Sequence, residues 1–232
     1  LVEMNSKDYF NKVTAGIDLN MLTSSITLSG PINKKWSFIA SGRTTYDNAA
    51  DSKLFDWIEP SPEEAVINGA IAERPLVLNT SPIITFFDVN GKLIFRPNER
   101  HLFSWSVFNS QDNFNNAYDI AFSNPLVFGT IQGQEKLNDH EDWQNFGVSL
   151  QHTGSFKNSW KINSRIYNSS FDYSGSLNTS LRLERNNNEF FTSLTNQKQN
   201  QIKDWGFHSI LSKKTSKGDF SIGLSGIQHD VL

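Results

Sequence analysis

The stretch Phe146-Gly-Val-Ser-Leu-Gln-His-Thr-Gly-Ser-Phe-Lys-Asn-Ser-Trp-Lys-Ile-Asn163 decides the fold class of this chain. Apolar residues stand at alternate positions before and after the turn-forming segment 157–159, with small or polar residues between most of them. Successive side chains of a β-strand point to opposite faces of a sheet, so this period of two predicts two strands with one apolar face each. The stretch therefore predicts a β-hairpin whose two faces meet different surroundings.

The same alternation recurs along most of the chain, and helical periodicity is nearly absent. One short segment, 61–68, has the Ser, Pro and Glu of a helix start, but it lies within a predicted loop. The fold class predicted from these patterns is all-β. The apolar members of the other alternating sets are Ala15, Ile17, Leu19 and Met21; Trp36, Phe38 and Ala40; Phe103, Trp105 and Val107; Trp205 and Phe207; and Phe220, Ile222 and Leu224.

Two kinds of connection alternate between the predicted strands. Four hairpins, or about eight antiparallel strands, are expected from this rhythm. Tight turns at one end of the strands and long loops at the other are typical of transmembrane β-barrels. The short turns are predicted at 32–35, 97–100, 157–159 and 214–218, about 60 residues apart, and the long polar connections at roughly 47–80, 110–140 and 174–199.

Asn90-Gly91 is a local signal against this rhythm, because Asn-Gly between β-prone runs favours a tight hairpin. The alternation of Phe87, Val89, Leu93 and Phe95 keeps its parity across the dipeptide. One long strand with a glycine bulge at this point is therefore the preferred prediction.

Aromatic residues flank the predicted short turns. Amphipathic rings are enriched where a membrane meets water, so these residues are candidates for an aromatic girdle of a transmembrane barrel, although aromatics are also common in strands generally. Trp205 stands about nine residues before the fourth turn, close to the length that one strand needs to cross a membrane. It is the candidate for the opposite girdle. The turn-flanking candidates are Trp36, Phe95, Phe103, Phe156, Trp160 and Phe220.

The opposite parity of the strands is polar and includes charged residues. Soluble barrels of about eight strands fill their interior with apolar side chains. An apolar exterior around a polar lumen is instead the arrangement of transmembrane barrels. Arg43, Arg96 and Arg165 are the candidates for side chains that face the lumen or a plug within it.

The composition excludes several classes of protein. The 232 residues include 18 Phe and 6 Trp but no Cys, which argues against a disulfide scaffold, a Cys zinc site and a thiol nucleophile. The sequence contains no run of about 18 apolar residues, so no transmembrane helix is predicted. A net charge of -3 gives no indication of nucleic-acid binding.

A search for catalytic and ligand-binding motifs finds little. No nucleotide-binding, nucleophile-elbow or zinc-helix pattern stands in its proper context, so neither an enzyme nor a cofactor is expected. The run His140-Glu141-Asp142 is the only local cluster suited to a divalent ion, and a solvated loop is the preferred interpretation.

Three stretches carry a family resemblance. LSGPINKKWSFIASGRTTY at 28–46 resembles a recurrent motif of Bacteroidetes TonB-dependent outer-membrane receptors, in the first barrel hairpin after the plug, although Thr44 replaces the second Arg of that motif. FFDVNGKLIFRPNERHLF at 86–103 and the segment 143–173 are similar to later hairpins of that family. In the family the second of these runs as one strand, which agrees with the reading of Asn90-Gly91.

The resemblance implies a barrel of about 22 strands filled by an N-terminal plug, with this chain as a fragment of the whole. Residues 1–7 would be the end of the plug-to-barrel connection and 8–232 the first hairpins of the barrel. The implied function is active uptake of a nutrient such as a siderophore, glycan or peptide across the outer membrane. The implied partners are the TonB complex, reached through the missing N-terminal region, the protein's own plug, outer-membrane lipid and lipopolysaccharide, and a surface lipoprotein.

Two alternatives remain open at this point. The first is an outer-membrane barrel that serves secretion or a structural complex without uptake. The second is a soluble extracellular β-sandwich that binds a glycan or a protein.

Overall fold

Nine strands lie side by side in chain order in the computed structural model, which describes residues 10–20, 22–45, 77–126 and 129–232. For 77–82, 124–126 and 129–130 it describes only the backbone. All neighbouring pairs are antiparallel, and β1 and β9 form the two edges of an open sheet. The all-β prediction is confirmed. The strands are β1 (Thr14–Leu19), β2 (Thr23–Pro31), β3 (Trp36–Thr45), β4 (Val77–Asn98), β5 (His101–Leu126), β6 (Gly129–Ser155), β7 (Trp160–Arg185), β8 (Asn188–Thr215) and β9 (Gly218–Val231).

The four predicted short turns are confirmed. Each predicted segment lies at the connection between two strands: β2 and β3, β4 and β5, β6 and β7, and β8 and β9. Asn33 closes the first turn with its side chain, because Oδ1 accepts hydrogen bonds from the backbone N–H of Lys35 at 2.8 Å and of Trp36 at 3.0 Å. Asn98 does the same for Arg100 and His101 at 2.9 and 3.1 Å. Such Asx turns explain why Asn stands at these points.

The long-loop prediction is wrong for two of the three connections. Residues 110–140 and 174–199 are almost entirely strand, because β5 to β8 are 26 to 28 residues long. The turn between β7 and β8 is only Asn186-Asn187, both with positive φ, of 49° and 63°. These polar segments form backbone ladders with each other, which requires no hydrophobic alternation of the kind used for the prediction. Most of the remaining predicted connection, 47–80, lies outside the described residues, and so does the helix-like segment 61–68.

The strand β4 runs through Asn90-Gly91, as predicted, but the predicted bulge is wrong. Gly91 pairs with Ala40 on one side and Val107 on the other, and the register is continuous at these positions. The only register shift of the β4–β5 pair lies between Phe95 and Asn98, beside the turn. Gly91 fits here because a Cβ would come within 3.1 Å of Val107.

An additional turn raises the strand count to nine where about eight are predicted. β1 and β2 are joined at Asn20, whose Oδ1 accepts hydrogen bonds from the backbone N–H of Leu22 and Thr23, both at 2.9 Å. The predicted alternation therefore ends at Leu19, and Met21 lies outside the described residues.

The two faces of the sheet are named here after two neighbouring residues of β5, the Trp105 face and the Ser104 face. Among the described residues no second layer packs on either face, and Ile94 is the only hydrophobic side chain that is fully buried. No helix in the described part of the chain has the length and apolarity needed to cross a membrane. The sheet therefore presents both faces to surroundings that the described residues do not provide.

Candidate functional site

The Trp105 face carries a continuous apolar belt near the short turns. Leu93 lies opposite Phe38 on one side and Trp105 on the other. Leu150 continues this row from Trp105 to Ile166. The belt residues remain accessible, and Ile166 is 52% exposed. Since full burial of such a side chain is worth about 1.5–3 kcal/mol, the belt is a surface for an apolar partner.

A row of stacked rings borders this belt on the side of the short turns, and it is called the aromatic row here. Trp36 stacks on Phe95 with ring centroids 4.4 Å apart, and Phe95 stacks on Phe103 at 6.3 Å. The imidazole of His152 continues the row on β6 at 4.4 Å from Phe103. Three of the predicted girdle candidates thus lie together on one face, while His152 carries no sequence signal of this role.

The aromatic row continues on the other side of the turn at 157–159. Phe156 lies edge-on to His101 with centroids 5.5 Å apart, and Trp160 lies edge-on to Phe220 at 6.3 Å. Lys213 stands between the last two on β8, with Nζ 5.2 Å from the Trp160 ring centroid. An ammonium over an indole ring makes a cation–π contact, and a lysine among aromatic rings suits a boundary between an apolar medium and water.

Trp205 lies on the same face but far from the aromatic row. Eight residues separate it from Lys213 on β8, or about 26 Å along an extended strand. Its neighbours across the ladder are Asn168 and Gln228, and it is 63% exposed. On β8 the run of apolar positions on this face stops here, because the next positions away from the aromatic row, from Lys203 to Ser193, are polar.

The Ser104 face holds a basin of about 450 Å³ behind the belt. Lys92 and Arg165 line it from β4 and β7, and the guanidinium carbon of Arg165 lies 5.2 Å from the Tyr167 ring centroid. Serine hydroxyls and the backbone of Gly147 form much of the remaining lining. The basin is thus positively charged and suits acceptor groups such as carboxylates or backbone carbonyls.

Arg43 is held on the same face by a carboxylate of the next strand. Its Nε donates a hydrogen bond to Oδ2 of Asp88 at 2.8 Å, and its Nη2 lies 2.7 Å from the same oxygen. The guanidinium also lies 5.0 Å from the centroid of the Phe86 ring. Burial and the charge of Asp88 raise the pKa of Asp112 on β5, and Arg43 opposes this rise. One arginine therefore compensates two carboxylates.

The structure does not bring the three predicted arginines into one cluster. Arg96 lies at the short-turn end of β4, where its backbone N–H donates to the Lys35 carbonyl at 2.7 Å. Arg165 lines the basin, and Arg43 pairs with Asp88 eight residues from Arg96 along the β3–β4 ladder. All three share the Ser104 face at three different distances from the turns.

On the side of the belt away from the short turns, the Trp105 face becomes polar and the Ser104 face becomes apolar. This region, residues 109–144 and 169–203 of β5 to β8, is called the extension here. Among the side chains that the structure describes, its Trp105 face carries mainly Asn, Gln, Ser, Asp and Lys, with Phe191 as the one large apolar residue. Its Ser104 face carries the apolar and aromatic residues instead. These are Phe114, Tyr118, Ile120, Phe122, Ile131, Leu137, Trp143, Phe171, Tyr173, Leu177, Leu181, Leu183, Phe190, Leu194 and Ile202.

Asn116 is the most buried polar residue of the extension, at 6% exposed. Its Nδ2 donates a hydrogen bond to the hydroxyl of Tyr118 at 2.5 Å. Its Oδ1 has no hydrogen-bond donor among the described residues, although it is buried. Leaving a buried acceptor unsatisfied costs about 1–3 kcal/mol, so a donor that reached this oxygen would be stabilised there.

A second polar contact lies on the next strands of the same face. Tyr173 donates its hydroxyl to Oε1 of Glu141 at 3.2 Å, and its ring lies 5.8 Å from that of Trp143. Burial, this hydrogen bond and the charges of Glu141 and Asp139 raise the pKa of Tyr173. The surroundings of the phenol are therefore rich in negative charge.

His140, Glu141 and Asp142 do not form a metal site. His140 Nε2 lies 2.7 Å from Asp142 Oδ2 on the Trp105 face, while Glu141 is on the opposite face. The three residues are part of β6 and not of a loop, so the strand alternation separates them. The described residues contain no group of three or more His, Cys, Asp or Glu that could hold a metal ion.

Comparisons with known proteins concern the fold. No family model matches the sequence, and no curated protein matches it significantly. The RagAB peptide importer in its open-open state has 13% identity and a TM-score of 0.53, over 88% of this chain and 27% of that chain. This chain thus spans about a quarter of that importer. The likeness shows the fold, an open antiparallel sheet of the kind found in outer-membrane β-barrel receptors.

Two siderophore receptors give weaker likenesses. The ferric enterobactin receptor PfeA from Pseudomonas aeruginosa has 8% identity and a TM-score of 0.27, over 88% of this chain and 42% of that chain. The siderophore receptor PirA from Acinetobacter baumannii has 9% identity and a TM-score of 0.28, over 90% of this chain and 44% of that chain.

Proposed function

We propose that this chain is part of the wall of a TonB-dependent outer-membrane transporter that takes up a nutrient such as a peptide, siderophore or glycan. The observation that carries the proposal is the apolar belt on the Trp105 face, backed by a polar Ser104 face across the same strands. Transmembrane barrels have this outward apolar band and polar interior. The fold likeness to a peptide importer and the motif at 28–46 support uptake over secretion or a structural role.

The belt would face lipid and the aromatic row would lie at the periplasmic interface. The 26 Å between Lys213 and Trp205 along β8 corresponds to about 20 Å of membrane when a strand is tilted by about 40°. That is close to the apolar band of about 25 Å in such barrels. Trp205 would therefore mark the outer interface, and the extension would project beyond the membrane.

The Ser104 face would line the lumen and meet a plug. The guanidinium of Arg165 would donate to plug carboxylates or carbonyls in the basin, which Lys92 also lines, and Arg96 would lie near the periplasmic entrance. Arg43 would contact the plug or solvent with the part of its guanidinium not engaged by Asp88, since its side chain is 54% exposed.

The further partners follow from the same proposal. The TonB complex would act through a plug region upstream of residue 8, outer-membrane lipid and lipopolysaccharide would cover the belt, and a surface lipoprotein would bind at the outer side. No nucleic acid, cofactor or resident metal is part of it.

Single-cysteine labelling tests the two faces directly, because this chain contains no Cys. In the complete protein in outer-membrane vesicles, with any cysteine elsewhere replaced, Val148→Cys should react with a membrane-permeant maleimide and resist a charged, water-soluble one. The matched control Ser149→Cys lies on the opposite face and should react with the charged reagent once the lumen is opened by urea. Equal reaction of both positions with the charged reagent would contradict the membrane assignment.

Uptake is tested in cells. A strain that lacks the protein should lose growth on one nutrient of a limiting mixture, and the complete gene should restore growth only when TonB is present. Restoration without TonB, or no growth defect on any nutrient together with a secretion defect, would overturn the transport proposal in favour of a different barrel function.

A further inference from the structure

The Ser104 face of the extension combines apolar side chains with an excess of negative charge. Four carboxylates lie on it in the region from β5 to β6, and Lys198 on β8 is the cation nearest to them along the cross-strand row of Glu141 and Gly175. Arg43 is already engaged by Asp88. The four carboxylates are those of Asp112, Glu135, Asp139 and Glu141.

Rings and carboxylates alternate within reach of each other on this surface. Trp143 lies opposite both Asp112 and Tyr173, and Glu141 accepts the hydrogen bond from Tyr173. Phe114 lies opposite Glu141. A cation that approached a carboxylate here would therefore also meet an aromatic face, and both contacts favour cations.

Asn116 provides an independent indication of a ligand. This side chain is 94% buried, it lies on the same face directly opposite Asp139, and its Oδ1 has no donor in the described part of the chain. A carbonyl oxygen beside a carboxylate is a pair of acceptors, which an ammonium or guanidinium group can satisfy together. Burial is the largest cause of the raised pKa of Tyr173, and the hydrogen bond to Glu141 and the charges of Glu141 and Asp139 add to it.

The segment 46–76 is poorly suited to neutralise this surface. Its sequence contains seven acidic residues (Asp47, Asp51, Asp56, Glu59, Glu63, Glu64 and Glu73) and two basic ones (Lys53 and Arg74), a net charge of 2 − 7 = −5. Like charges at close range disfavour such a pairing, so charge complementarity points to a ligand from outside the chain.

We propose that the Ser104 face of the extension binds a cationic ligand with apolar or aromatic groups, namely a peptide that carries Lys or Arg side chains. The proposal rests on the transport function, since it names the substrate class that would be captured on the extracellular side. Cationic side chains pair with the carboxylates and the Asn116 carbonyl, while apolar side chains pack on Trp143 and its neighbours. Anionic chelates of iron are disfavoured at this surface by the same charges.

Binding to the purified complete protein in detergent is the experiment. The probe is a fluorescein-labelled twelve-residue peptide of alternating Lys and Phe, and the matched control peptide has Glu in place of Lys. We expect the Lys peptide to bind at least tenfold more tightly, with affinity that falls as salt is raised. Equal affinity of the two peptides, or no binding of the Lys peptide, would overturn the proposal.

Variants locate the site. The double variant Asp139→Asn/Glu141→Gln should weaken binding of the Lys peptide at least tenfold, whereas the control Asp142→Asn, on the opposite face of the same strand, should leave it within twofold. Lys198→Glu should tighten binding severalfold, a gain that misfolding cannot produce. Equal weakening by Asp142→Asn, or no gain from Lys198→Glu, would contradict the assignment.

The two proposals fail in different ways. Tight binding of the Lys peptide to a protein that shows no TonB-dependent uptake would overturn the transport function and retain the site. TonB-dependent growth on a nutrient, without binding of the Lys peptide, would retain transport and overturn this inference.

Discussion

Tyr167 covers the backbone of Gly206 on the neighbouring strand, and its ring fills the space that a side chain at position 206 would need. A Cβ at Gly206 would lie 2.1 Å from the Tyr167 ring carbon Cζ. Gly206→Ala should therefore displace the ring from beside Arg165 and destabilise the sheet by about 1–3 kcal/mol. Gly223→Ala is the matched control, because its Cβ would meet ordinary contacts of 3.5 Å or more. Urea unfolding in detergent micelles checks both, and equal midpoints would contradict the prediction.

Substitution by arginine should distinguish the faces of β9. Ile222 lies on the Trp105 face within the belt and is 60% exposed, whereas its neighbour Ser221 lies on the Ser104 face. If the belt faces lipid, Ile222→Arg should be destabilising by less than the about 2–4 kcal/mol of an arginine at the membrane midplane, because Ile222 lies only two residues from Phe220 of the aromatic row. Ser221→Arg should be tolerated. Folding equilibria in lipid vesicles measure both, and similar losses would show that the parity assignment is wrong.

The carboxyl of Asp112 should make stability depend on pH. Burial and Asp88 raise its pKa in the folded state, so the folded protein holds this proton more tightly than the unfolded chain does. Stability from this group is then greatest below the unfolded pKa, and it falls as pH rises through the folded pKa. Asp112→Asn should raise the free energy of unfolding at pH 7, measured by urea denaturation, by less than about 1 kcal/mol because solvent screens the charges.

The control for this prediction is the behaviour of the same variant in acid. The gain from Asp112→Asn should disappear below about pH 3, where the carboxyl is protonated in both states. Asp119→Asn, which removes a carboxylate 3.6 Å from Lys136 on the other face, should give no gain at pH 7. A gain that persists at low pH would exclude a titration effect.

Arg43 and Asp88 should show energetic coupling. The side chain of Asp88 is only 16% exposed, so removing its partner leaves a largely buried charge beside Asp112. Arg43→Gln should therefore cost more in the wild type than in an Asp88→Asn background. The coupling energy of a double-mutant cycle for such contacting residues is about 0.5–3 kcal/mol. Additive effects within error would mean that the ion pair contributes no net stability.

The turn Asn186-Asn187 should tolerate glycine and reject branched residues. Both residues have positive φ, the geometry of a tight turn that matches the twist of a hairpin. Asn187→Gly should be neutral or slightly stabilising, while Asn187→Val should cost about 1–2 kcal/mol, since a left-handed conformation is unfavourable for a β-branched residue. Hydrogen exchange of the amides next to the turn reads this local effect, and identical exchange in both variants would contradict it.

The sequence predicts the belt and its turns because the alternation of apolar and polar residues and the residue types at turns are local signals. The spacing alone predicts one apolar strand face from Phe146, Val148 and Leu150. The turns are predictable because Asn33 and Asn98 accept hydrogen bonds from backbone N–H groups two residues further along the chain. These local signals do not specify which residue of the neighbouring strand lies opposite each position. The stacking of His152 on Phe103 depends on the register between β5 and β6, which no single strand specifies.

The strands of the extension are not predicted from the sequence, for a physical reason. Its polar composition resembles a loop, since only one face of each strand carries large apolar residues and that face is broken by Asn116 and Glu141. Yet Phe114, Tyr118 and Phe122 keep one parity throughout, and that regularity is a strand signal. The unsatisfied carbonyl oxygen of Asn116 has no sequence signal, because it depends on the burial of this side chain in the folded sheet.

The exchange of polarity between the belt and the extension constrains how the long strands can pair. Sliding β5 against β6 by one residue would move the rings of its extension to the Trp105 face and would put Ser104 and Ser106 among the apolar side chains of the belt, so both halves of the strand disfavour the same slip. If the belt faces lipid, a shift of the whole sheet along the membrane normal would preserve every strand pair but move this change of polarity away from the membrane boundary. The change near Val107 and Phe146 would then constrain both the register between β5 and β6 and the depth of the sheet in the membrane.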